Sequence, residues 1–185
     1  MSSTPTPTSP SAAMFGDVTL QAAAALAQDA YTPVWIAASG EQTAGELVAR
    51  HLESTIALLE QDGWARTYTP WSTPDLPAAD DPNASVEDMV RELIRAIRDD
   101  APAGQPRCLS MALNHVGSGT DGDGDTRDIA HTVLDLIMRA HTGHDTARAM
   151  AWAERAHRTL PEVTALLTAG ARFARAHGPS AAVAI

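Results

Sequence analysis

The chain has 185 residues, a length that suits one domain with room for tails. Apolar residues make up 44% of it and aromatics only 4%, so its core must be built mainly from alanine and aliphatic side chains on closely approaching helices. The formal net charge of −10 repels polyanions and anionic membranes at long range, the single cysteine excludes an internal disulfide, and no run reaches the roughly 20 apolar residues of a membrane span.

Residues 1–16 are rich in Ser, Thr and Pro and are expected to form a disordered tail. They lack the basic and apolar segments of a secretory signal, which predicts a cytoplasmic protein. A helical domain is expected over 17–178, with a second tail at 179–185. Its first helix spans the alanine-rich stretch from Val18 to Ala30. Pro33 to Ala38 fits either a short extended segment or the lead-in to the next helix.

Thr43 and Glu46 stand at capping-box spacing, and Leu47, Val48, Leu52, Ile56 and Leu59 recur at helical spacing until Gly63. His51 lies on that stripe and reads as a buried, hydrogen-bonded histidine. The Pro-rich stretch 66–83 has no periodicity and is read as a long loop. Its Tyr68 and Trp71, with nearby Trp64, are the candidate residues for a protein partner or small ligand.

Ser85 and Asp88 stand at capping spacing before the strongest amphipathic series: Val86, Met89, Val90, Leu93, Ile94 and Ile97. Pro106 to Val116 predicts a shorter helix carrying Cys108, which is expected in the core. The Gly/Asp loop 117–125 places oxygens at Asp121, Asp123 and Asp125 as a calcium loop would. It lacks the glycine and the bidentate glutamate such a loop requires, so its acids are read as complementing the dipole of the next helix. Helices are then expected from about Ile129 to Ala140, from Asp145 to Ala156, and from Leu160 to His177, the last capped by Thr159 and Glu162. The sum is an all-α bundle of six or seven helices.

Several of these positions resemble a known pattern. Gly63-Trp64 closes a helix, Cys108-Leu109-Ser110-Met111-Ala112-Leu113 opens another, and Trp152 precedes Arg158-Thr159 at the final helix. This order is similar to a family of small helical proteins of unknown function from actinobacteria, their phages and plasmids, which tends to show Gly-Trp, Cys-x-x-Gly-Ala-Leu, Trp-Asn-Asp and Arg-Thr. The resemblance covers about Gly45 to His177, with the glycine and the Asn-Asp pair replaced here. It implies a helical cytoplasmic protein and supplies no activity.

Two chemistries compete with partner binding. His141, His144 and Asp145, joined by His115 or His131, have a spacing that could hold a divalent metal in an enzyme site. Arg155, Arg158, Arg172 and Arg175 lie in a C-terminal region of charge +3 and could contact a nucleic-acid backbone, although pairing with the chain's own acids explains them more simply. No motif calls for a cofactor, and a homo-oligomer stays open. The reading preferred is a non-catalytic binding module.

Overall fold

A computed structural model describes residues 14–67, 84–91, 104–119 and 122–180. Among the described residues the fold is carried by helices α1 (Asp17–Gln28), α2 (Gly45–Asp62), α3 (Leu109–Gly117), α4 (Gly124–Thr142), α5 (Ala149–Ala153) and α6 (Leu160–His177). A further helical stretch covers 86–91. Among the described residues there is no strand, only isolated bridges between Ile36 and Gln42 and between Trp64 and Arg107. The protein is an all-α bundle, and none of its described helices is long and apolar enough to cross a membrane.

On the apolar stripe of α2, Val48, Leu52 and Leu59 are fully buried as the spacing predicts and Ile56 is half-buried, whereas Leu47 at its first turn is 49% exposed. Its main partner is α6, while α1 lies on α4. Three helices converge at Gly170 of α6, where a Cβ would come within 2.9 Å of both Leu52 on α2 and Leu134 on α4. Only a residue without a side chain lets them approach this closely without rearrangement. Leu166, Leu167 and Phe173 of α6 complete that core.

The start of α2 differs from its expected capping box. Its N-cap is Ala44, not Thr43, and the Gly45 N–H donates at 2.9 Å to the Pro179 carbonyl beyond α6. Packing decides this: Gly45 lies so close to Ala174 and Gly178 that any side chain would overlap the Ala174 carbonyl. Glu46, freed from capping, accepts from Arg175 at 2.8 Å instead. At the other end Gly63 stops α2 with φ of 90°, a backbone region that favours glycine.

The Pro33–Ala38 run resolves as a tight extended turn, in which the Trp35 carbonyl accepts the Thr43 N–H at 2.9 Å. The Thr159–Glu162 box forms as its spacing predicts, with Glu162 accepting from the Thr159 N–H at 2.9 Å. The helix expected over Asp145–Ala156 is shorter, because Asp135 on α4 captures the Ala149 N–H at 2.8 Å and fixes the start of α5 there. Of the tail expected at 1–16, residues 1–13 lie outside the described set, but Phe15 is 1% exposed and belongs to the core. The expected tail at 179–185 is described only to residue 180.

Candidate functional site

The binding trio divides. Tyr68 and Trp71 lie outside the described residues. Trp64 is half-buried against the core, with its indole N–H sealed from water and without a hydrogen-bond partner among the described residues. Its backbone is fixed by the bridge to Arg107, in which the Ala65 N–H donates to the Arg107 carbonyl at 2.9 Å. Beneath this bridge Arg107 is 1% exposed and its Nε donates to Asp62 at 3.0 Å. The Gly104 N–H donates to the same carboxylate at 3.1 Å. The sequence reading missed this buried pair, since nothing local marks two residues forty-five positions apart as partners.

The helical stretch 86–91 begins as its capping spacing predicts, with the Ser85 hydroxyl accepting the Asp88 N–H at 3.1 Å. Its apolar row does not reach the core: Val86 is 72% exposed, Val90 47% and Met89 36%. Arg91 holds Glu87 at 2.7 Å and Asp88 at 2.9 Å beside that row. Leu93, Ile94 and Ile97 lie outside the described residues.

His141, His144 and Asp145 sit at the end of α4 and in the turn after it, where all three are exposed. The His141 ring packs 4.8 Å from Phe15, which in turn meets Trp152 edge-on at 5.8 Å, with the Arg158 guanidinium 4.2 Å above that indole. Burial and the Arg158 charge hold the His141 ring below the usual histidine range. Among the described residues no three His, Cys, Asp or Glu side chains stand where they could share a metal ion. His115 and His131 lie half-buried on α3 and α4.

Of the four arginines, Arg172 reaches Asp17, Arg175 bridges Glu46 and Glu53, and Arg158 pairs with Glu162 at 2.8 Å. Arg155 stands exposed. Three of the four therefore already hold acids of their own chain, the simpler of the two roles their sequence suggested.

A cleft of about 400 Å³ opens between α2 and the N-terminus of α4, lined by Arg50, Glu53, Ser54, Gly122, Asp123 and Thr126 among others. Asp123 is the N-cap of α4 and accepts the Thr126 N–H at 2.7 Å. That bond, with the Thr126 hydroxyl, holds its carboxyl below the usual carboxylate range. So two acids of the Gly/Asp loop stand at the helix terminus as expected, Asp123 as the cap and Asp125 in the first turn, while Asp121 lies outside the described residues. Behind Gly122 lies His51, fully buried, whose ring meets the Leu113 backbone but makes no hydrogen bond of full geometry among the described residues. Its burial is as the helical spacing predicts. Cys108, at the N-cap of α3, is buried as expected.

Residues 43–173 match the model of a family described as a family of unknown function (DUF6197). No curated protein and no solved structure matches the chain. The positions that carried the sequence resemblance have structural places in this fold. Gly63 ends α2, Cys108 precedes α3, Trp152 lies under Arg158, and Thr159 caps α6.

Proposed function

The chain belongs to DUF6197, a family of unknown function, and from that premise we propose that it is a non-catalytic helical module that docks onto a protein partner. The observation that carries this reading is the exposed row Val86, Met89 and Val90, spaced i, i+3 and i+4 on one helical face. Apolar side chains in such a row gain little from water and much from a groove that covers them. Glu87 and Asp88 flank the row and the whole chain carries −10, so the partner that fits is an apolar groove with a basic rim.

The test is a photo-reactive residue at position 90, cross-linked in the host cell, beside a V86D/V90D variant. One dominant protein adduct, lost in the double variant while its melting temperature stays unchanged, supports the module. An absence of adducts, or a variant that melts several degrees lower, would show that the row is covered by the chain itself.

A further inference from the structure

We infer that His51 is the trigger of an acid-sensitive contact between α2 and the N-terminus of α4. The ring is completely buried, and its Nδ1 faces Gly122, where a Cβ would stand only 2.5 Å away and 3.2 Å from Cε1. Among the described residues neither nitrogen makes a hydrogen bond of normal geometry, although the Leu113 backbone offers the ring a partner. A neutral imidazole tolerates this seat. An imidazolium must donate from both nitrogens, and a dry seat whose backbone partner is Leu113 leaves the other nitrogen unpaired.

The groups that face the ring do not offer that help. On α4, His131 and Arg127 oppose a second positive charge, and Asp123 favours it. Asp123, however, is already committed to capping the helix at Thr126. On α3 the Leu113 backbone carbonyl accepts from the ring, the smallest of these influences. On α6, Arg175 already holds Glu46 and Glu53 of α2 in salt bridges. Arg50 on α2 is itself paired with Glu46. Burial, chiefly, and the His131 charge push the His51 ring down to about 4, in line with this geometry.

The folded contact favours the neutral ring, so its contribution is complete above the ordinary histidine range and is lost as pH falls through that range toward about 4. Charge on His51 is relieved when Gly122 moves off and water reaches the ring. Because Gly122 and Asp123 also line the 400 Å³ cleft, acid would deepen that cleft down to the imidazole.

Hydrogen exchange of the full chain, corrected for intrinsic rates, tests this at about pH 7 and about pH 5. Amides of 48–55 and 122–128 should lose about tenfold or more protection beyond any loss at 163–174, and a His51→Leu variant should not show that local loss. An equal loss in both proteins, or a uniform loss over every helix, would overturn the inference. Should His51→Leu fail to fold, the wild-type His51 ring signal decides by NMR. Resistance to protonation until the exchange change sets in supports the trigger, and titration near the ordinary histidine range without any exchange change refutes it.

Discussion

Asp62 and Arg107 face each other at 3.0 Å with 3% and 1% of their side chains exposed, joining the end of α2 to the segment that enters α3. Ion pairs this deeply buried contribute little net stability compared with a well-packed apolar pair. Breaking one leaves a charge stranded away from water, at a cost of roughly 3–5 kcal/mol. Asp62→Ala should therefore destabilise the protein by about that much, and Asp62→Leu combined with Arg107→Met by far less. Urea unfolding of the single and double variants checks this, and a loss in the double variant as large as in Asp62→Ala would mean that the stranded charge is not what costs stability.

Gly45 and Gly170 respond differently to a methyl group. At Gly170 the obstacles are the flexible ends of Leu52 and Leu134, so Gly170→Ala should cost about 1–3 kcal/mol through overpacking. At Gly45 the obstacle is backbone, the Ala174 carbonyl and the Gly178 Cα, which cannot swing aside. Gly45→Ala should be the more damaging change despite alanine's better helix propensity. Thermal melts of the two variants rank them, and the reverse order would mean that the chain after α6 gives way easily.

The cap of α6 should behave as caps do elsewhere. Thr159→Ala removes the hydroxyl that contacts Glu162 at 3.0 Å and should cost about 1 kcal/mol. Thr159→Ser should retain most of that amount. A chemical denaturation series distinguishes them, and an alanine variant as stable as the parent would remove the box from the list of stabilising features.

Arg175 spans Glu46 and Glu53, and its guanidinium is the leading reason that both carboxyls sit below the usual carboxylate range. Depressed carboxylate values stabilise the fold above the unfolded range, and the benefit disappears as pH falls through the folded values. The stability difference between the parent and Arg175→Gln should thus be present at neutral pH, shrink in acid and weaken in high salt. Melts across pH and salt measure it, and a difference independent of both would assign the effect to packing of the arginine stem.

The features legible in the sequence were those that repeat locally. The stripe of α2, the stop at Gly63, the Ser85 cap and the Thr159–Glu162 box are set by residues within one or two turns of each other. What escaped depends on distant partners. Asp135 decides where α5 begins, Pro179 receives the Gly45 N–H, and Asp62 finds Arg107 across forty-five positions. Periodicity also reveals that a helix is two-sided without revealing what it rests on. Val86, Met89 and Val90 form such a face, and it is exposed. For His51 the spacing indicated burial, but the hydrogen bonds of a ring depend on neighbours brought in by α3 and α4.

The close seating of α2 on α6 has a bearing on synthesis. More than a hundred residues separate Glu46 from Arg175, so α2 leaves the ribosome well before the helix that covers its apolar stripe exists. During that interval Leu52 and Leu59 must stay in solution without their final neighbours, in a chain whose native contacts span long sequence distances. The nascent protein would then be most prone to aggregate midway through translation, and slowing the ribosome between α2 and α6 would lengthen that exposure.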